Sequence, residues 1–153
     1  MKTPPILAVF AAVLLVSISH ASAIGLGNFV GTWRGVRIEA GDSTPNKLVA
    51  KKKGGNLIVT ETGDHWLGGR YSFTHHFSAN GKYESVYSSY GYVLATNTGK
   101  WHSTQSAISI SGLQQSDFGL VSFKGTFRLI SKNQMSFTGK SGDVKMKITA
   151  KKS

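Results

Sequence analysis

Residues 70–89 read RYSFTHHFSANGKYESVYSS, and this stretch decides the expected fold. Side chains with rings alternate with polar side chains before Asn80-Gly81, and the alternation resumes after that pair. Asn-Gly readily takes the positive φ values of a type I′ turn, whose twist matches that of two flanking strands. The stretch therefore predicts a β-hairpin with one ring-bearing face, which carries Tyr71, Phe73, His75, Phe77, Tyr83, Ser85 and Tyr87.

The same pattern extends over the rest of the chain. Apolar residues alternate with period two, as in Leu57 and Val59 or Met135 and Phe137, and no stretch shows a 3.6-residue apolar period. Turn-forming groups recur about every ten residues. They are Gly41-Asp42, Gly54-Gly55, Gly63-Asp64, Gly68-Gly69, Asn80-Gly81, Asn97-Thr98-Gly99, Ser131-Lys132-Asn133 and Ser141-Gly142-Asp143. Because a long sheet usually closes to remove its edges, the sequence predicts an all-β, antiparallel up-and-down β-barrel of 8–10 strands.

The N-terminus has the features of a signal peptide, which we predict over residues 1–23. Lys2 precedes an apolar run of eleven residues from Ile6 to Val16, and Ala21-Ser22-Ala23 offers small residues to a signal peptidase. The run is shorter than the roughly 20 residues of a membrane-spanning helix, so we expect no transmembrane span. A buried core helix is the alternative interpretation. The expected product is an exported, periplasmic or secreted, domain over residues 24–153.

The length and composition of the chain exclude several classes of function. The chain has 153 residues, 18 Lys and Arg against 7 Asp and Glu, a formal charge of +11 and no cysteine. The length excludes a multidomain enzyme, and the lack of cysteine excludes disulfides, thiolate metal sites and a thiol nucleophile. No nucleophile motif, phosphate-binding glycine loop or metal-ligand spacing occurs, so an enzyme is the least favoured class and no cofactor is predicted.

Three short motifs resemble those of lipocalin-like (calycin-type) barrels. They are Gly31-Thr32-Trp33, Phe77-x-x-Asn80-Gly81-x-Tyr83 and Gly99-Lys100-Trp101. In those families the G-x-W motif opens the first strand, and the resemblance implies that Gly31 and Trp33 form a structural plug at one end of the barrel. It also implies a small molecule held inside.

The departures from those families leave the ligand open. The segment from Ala40 to Lys47 has room only for a turn where fatty-acid-binding proteins insert two helices. Their carboxylate-holding Arg and Tyr near the C-terminus have no counterpart in residues 145–148. Arg128 could replace the lipocalin arginine that packs on the plug Trp, but its parity points it away from the dry face of Val121, Phe123, Phe127 and Leu129.

The ring-bearing face is the candidate ligand site. A small-molecule pocket is mostly apolar with a few placed polar groups, and we expect such a lining from Tyr71, Phe73, His75, Tyr83, Ser85, Tyr87 and Trp101. The expected ligand is a small amphiphilic or hydrophobic molecule. The alternative is a solid barrel that its own rings fill. A zinc site from His75 and His102 is disfavoured against an interior His75 hydrogen-bonded to a Tyr or Ser hydroxyl, and a Glu61–Glu84 carboxylate pair is only a conjecture.

A second candidate site is a basic surface. Its lysines cluster in two segments and are Lys51, Lys52, Lys53, Lys145, Lys147 and Lys151. Such a surface could bind an anionic envelope component or an acidic protein, including a secreted enzyme that it would inhibit. It could also serve solubility alone. Nucleic acid is not expected, because the chain is predicted to be exported and shows no aromatic–basic alternation.

Overall fold

The computed structural model describes residues 25–65 and 69–153, so the predicted signal peptide lies outside the described residues. Within them the chain forms one short helix and ten strands. The elements are α1 (Leu26–Phe29), β1 (Gly31–Glu39), β2 (Asp42–Lys53), β3 (Asn56–Asp64), β4 (Arg70–Phe77), β5 (Lys82–Ser89), β6 (Tyr92–Ser103), β7 (Ala107–Ser116), β8 (Gly119–Ser131), β9 (Gln134–Ser141) and β10 (Val144–Lys152).

The strands form a closed antiparallel barrel. Each strand pairs with the next one along the chain, and β10 pairs with β1 to close the sheet. This confirms the predicted up-and-down barrel, at the upper limit of the expected number of strands. In the described part of the chain no helix is long and apolar enough to cross a membrane.

The type I′ turn predicted at Asn80-Gly81 is wrong, although the hairpin itself is confirmed by the pairing of Phe77 with Tyr83. Of that pair only Gly81 has a positive φ, of 84°, and the loop is longer than two residues. Asn80 instead uses its side-chain oxygen to accept a hydrogen bond from the Lys82 amide at 3.0 Å. Positive φ values at both central residues occur at Ala40-Gly41 and Tyr90-Gly91.

The turn predicted at Asn97-Thr98-Gly99 is also wrong, because these residues lie within β6. Gly99 faces Gly112 on β7, and a Cβ atom at Gly99 would collide with the backbone oxygen of Ser111. The glycine permits a close approach of two strands rather than a turn. Gly63-Asp64 likewise lies within a strand, at the end of β3.

One end of the barrel is closed by packed side chains. The helix α1 lies at this end, and the fully buried Trp33 donates its indole N–H to the Phe29 carbonyl at 2.9 Å. Gly31, with a φ of 139°, begins β1 just before it. The ammonium of Lys152 lies 5.2 Å from the centroid of the Trp33 ring, whereas Arg128 is exposed on β8.

The core fills the closed half and thins toward the other end. Leu48, Leu57, Phe77 and Ile108 are at most 1 % exposed, and burying each such side chain contributes roughly 1.5–3 kcal/mol. Val121 on β8 was expected on the dry face but is 38 % exposed. It lies near the start of β8, at the end of the barrel that is open.

Candidate ligand cavity

The open half of the barrel contains a cavity of about 390 Å³. Residues at the β1–β2, β3–β4 and β9–β10 connections, including Ala40, Asp64 and Val144, border it, so its mouth is at the end opposite α1. Deeper in, the wall consists of aromatic and aliphatic side chains with a few polar groups among them. These residues are Arg37, Tyr71, Phe73, His75, Tyr83, Tyr87, Ala95, Asn97, Ile110, Gln114, Phe123, Phe137 and Met146.

The cavity does not include every residue that the sequence predicted. Tyr71, Phe73, His75, Tyr83 and Tyr87 line it. Ser85 is buried but lies outside the lining, where it accepts a hydrogen bond from Asn97. Trp101 belongs to the closed half, where its ring packs edge-on against Phe77 with centroids 5.8 Å apart, and its indole N–H donates to the Ser78 carbonyl at 2.8 Å.

Arg37, which lines this cavity, forms a buried ion pair with Glu61. Arg37 on β1 donates from Nη1 to both carboxylate oxygens of Glu61 on β3, at 3.1 and 2.9 Å. Its Nε donates to Glu39 at 2.9 Å, and its Nη2 to the sulfur of Met146 at 3.1 Å. The guanidinium also lies 5.6 Å from the Tyr71 ring centroid. Arg37 therefore ties β1 to β3 and β10.

Glu61 is 1 % exposed, and its charge is balanced by several donors. Besides Arg37, Asn46 Nδ2 donates to it at 3.0 Å and the Tyr71 hydroxyl at 2.8 Å. Burial lowers the pKa of Arg37, but the neighbouring Glu61 and Glu39 outweigh it, so the net pKa is raised. Burial and Glu61 raise the pKa of Tyr71, so its phenol keeps the proton that it donates. A buried carboxylate is tolerated only with such partners.

This network was missed by the sequence prediction, although a signal for it exists. Arg37 shares the parity of Trp33 on β1, and Glu61 shares that of Leu57 and Val59 on β3, so period two places both charges inside. The conjectured pairing of Glu61 with Glu84 is wrong, because Glu84 lies on the outer face beside Lys82, at 2.9 Å.

A second polar group connects β4, β5 and β6. The Tyr83 hydroxyl lies 2.7 Å from His75 Nδ1, which confirms the expected interior histidine bound to a hydroxyl. Burial lowers the pKa of His75 to about 4, so the imidazole is neutral at neutral pH. Asn97 Nδ2 donates to the Ser85 hydroxyl at 2.7 Å.

Two buried polar atoms of this group have no hydrogen-bond partner within the described residues. They are His75 Nε2 and Asn97 Oδ1. Both atoms belong to residues that line the cavity.

The histidines do not converge on a metal. His75 is buried inside the barrel and His102 is exposed on its outer face, so the two cannot share a zinc ion. Among residues 25–65 and 69–153, no group of three or more His, Asp or Glu side chains could hold a metal ion.

Comparison with known proteins shows the fold only. No protein-family model matches the chain, and no curated protein is significantly similar to it. Among solved structures, Rv2717c from M. tuberculosis has a TM-score of 0.58 at 13 % identity, covering 84 % of this chain and 94 % of that one. A redesigned β-barrel, b11L5F_LGL, has a TM-score of 0.55 at 15 % identity (84 % and 95 % covered). A second redesigned barrel, mFAP1 bound to DFHBI, has a TM-score of 0.53 at 11 % identity (84 % and 98 %). The chain is therefore similar in fold to natural and designed β-barrels.

Proposed function

We propose that the protein is a binding protein that holds a small, partly apolar molecule in the open half of its barrel. The observation that carries this proposal is the cavity of about 390 Å³, whose lining combines aromatic side chains with a few polar groups. Its volume falls in the range of about 300–1,000 Å³ that small-molecule sites occupy. The similar barrel mFAP1 was solved bound to DFHBI, which supports ligand binding inside this architecture.

The number of strands argues against a solid barrel. Eight strands enclose an interior just wide enough for side chains to fill it, and the diameter grows with each added strand. This barrel has ten strands, and its side chains leave a cavity of about 390 Å³ in the open half. A lipocalin-like container, as the G-x-W motif implies, is consistent with this arrangement.

The lining of the cavity favours a ligand that has both apolar and polar groups. Phe73, Tyr87 and Phe123 offer apolar surface, while Arg37 and Gln114 add polar groups to the lining. Leaving a buried donor or acceptor unmet costs about 1–3 kcal/mol. A molecule with an apolar body and a carbonyl, hydroxyl or amide group would fit better than a plain hydrocarbon.

The experiment compares two phenylalanine substitutions at adjacent positions of β6. Ala95 is 8 % exposed and lines the cavity, whereas Thr96 is exposed on the outer face. Ala95→Phe should fill part of the cavity, and Thr96→Phe should leave it unchanged. The probe is 8-anilinonaphthalene-1-sulfonate, whose fluorescence rises in apolar surroundings, and native mass spectrometry gives the stoichiometry.

We expect one dye per chain for the wild type and for Thr96→Phe, and an affinity at least about tenfold weaker for Ala95→Phe, equivalent to the loss of roughly 1.4 kcal/mol of contacts. Equal affinities in the two variants, with both still folded, would refute the interior site.

A further inference from the structure

Lysines form a stripe on the outer wall of the barrel. The strand registers place Lys145 opposite Lys140, Lys140 opposite Lys124, and Lys124 opposite Ser111. Ser111 in turn lies opposite Lys100, which lies opposite Lys82. The stripe thus crosses six neighbouring strands, from β10 to β5, with a lysine on every strand except β7. With neighbouring strands about 4.8 Å apart, it is roughly 24 Å long.

A second polar row runs beside the stripe. It contains His102, Ser109, Thr126, Thr138 and Lys147, each opposite the next across the strands. A shallow depression of about 540 Å³ lies along both rows, between Lys124, Lys140 and Lys145 on one side and the hydroxyl-bearing residues on the other. Neither row contains a carboxylate. Hydroxyl donors beside ammonium groups are suited to anionic oxygen ligands.

Repulsion among the lysines of the stripe lowers the stability of the isolated protein. Like charges directly opposite one another on neighbouring strands are destabilising, and here Lys124, Lys140 and Lys145 are consecutive. Two lysines of the stripe have acidic neighbours: Lys140 lies 3.4 Å from Asp143, and Lys82 lies 2.9 Å from Glu84. An anionic partner would relieve the repulsion that remains.

The course of the stripe indicates the shape of this partner. The stripe extends over five of the ten spacings between strands, which is half of the circumference, so no flat surface can touch all five lysines at once. A flexible chain can follow the stripe around the wall. Neither row has a Phe, Tyr or Trp ring on which a nucleic-acid base could stack, and His102 is the single imidazole in the two rows. We propose that the stripe binds an acidic polysaccharide chain, whose carboxylates or sulfates pair with the lysines and whose hydroxyls bond to the serines and threonines.

This site is only partly the basic surface expected from the sequence. Lys145 and Lys147 belong to the two rows, whereas Lys51, Lys52, Lys53 and Lys151 lie elsewhere on the outside or at the closed end. Its side chains are on the outer face of the strands, and Lys124 and Lys140 also border the interior cavity.

The experiment uses two double variants that remove the same charge. Lys124→Gln with Lys140→Gln interrupts the stripe, while Lys51→Gln with Lys53→Gln removes two lysines from β2 and serves as the control. Binding to polygalacturonate, which supplies carboxylates, and to dextran sulfate is measured by calorimetry at low and high salt, with neutral dextran as a blank. Single-stranded oligothymidylate and phosphatidylglycerol vesicles test the other classes of partner.

We expect the stripe variant to bind at least one acidic polysaccharide about tenfold more weakly than the wild type, and the control variant to stay within about threefold, since distant charges are screened. The stripe variant should unfold at the same or a higher temperature than the control, because a like-charge contact is removed. Equal losses in both variants would overturn the proposal, as would no polysaccharide binding or tighter binding to the oligonucleotide or vesicles.

Discussion

The closed and open halves of this barrel consist of the same strands, but the side chains that point inward differ between the two halves. In the closed half the interior consists of Trp33, Leu48, Leu57, Phe77 and similar side chains with almost no exposure. In the open half the same face presents Arg37, His75 and Asn97 around a cavity, and the buried Glu61 pairs with Arg37. The closed half supplies apolar burial that stabilises the fold, and this allows the open half to be polar and incompletely filled.

The largest loss of stability should follow from removing a buried side chain in the closed half. Trp33→Ala should lower the free energy of unfolding by about 3–5 kcal/mol, because a fully buried indole is removed and its hydrogen bond to Phe29 is lost. Denaturant unfolding measures this loss. Tyr92→Ala is the control, since Tyr92 is 73 % exposed on β6 and should change stability by less than about 0.5 kcal/mol. Similar losses of unfolding free energy in both variants would contradict the conclusion that the buried side chains of the closed half stabilise the fold.

A comparable effect is expected from breaking the charge pair in the open half. Glu61→Leu should cost about 3–5 kcal/mol, because it leaves the Arg37 guanidinium buried without its main partner. Adding Arg37→Met should recover much of the loss, since an apolar pair of similar size often replaces a buried ion pair at little cost. A double-mutant cycle from urea unfolding measures the coupling, and strictly additive losses would show that the two residues do not depend on each other.

The smallest of the three effects is a pH dependence that comes from His75. Its pKa is lowered by burial to about 4 in the folded protein, compared with an ordinary value near 6.5. Between these values the unfolded chain binds more protons, so His75 contributes stability above about pH 6.5 that is lost as the pH falls toward 4. The loss should reach about 3 kcal/mol.

Comparison with His75→Gln isolates this contribution from that of the carboxylates. The difference in unfolding free energy between the wild type and the variant should shrink as the pH falls from 7 to about 4. A difference that stays constant over this range would mean that the imidazole is accessible to protons in the folded state, and that the open half is wetter than the structure indicates.

Much of the fold could be predicted because strand alternation is local. Leu57 with Val59, and Tyr71 with His75, follow period two whatever their strands pair with. Turn positions are harder to predict, because glycine occurs both in turns and where two strands approach each other closely. Gly99 looked like a turn residue, yet its role is to let β6 approach β7, which cannot be known before the partner strand is placed.

By itself the sequence determined the class of fold, the inward direction of the rings and the interior hydrogen bond of His75 to a hydroxyl. Only the tertiary structure decided which inward residues meet. It separated Trp101 from the cavity, joined Arg37 to Glu61 over a separation of 24 residues, and aligned lysines from five strands into one stripe. The reason is physical: the face of a side chain depends on its own strand, whereas its neighbours depend on the register of every strand around the closed barrel.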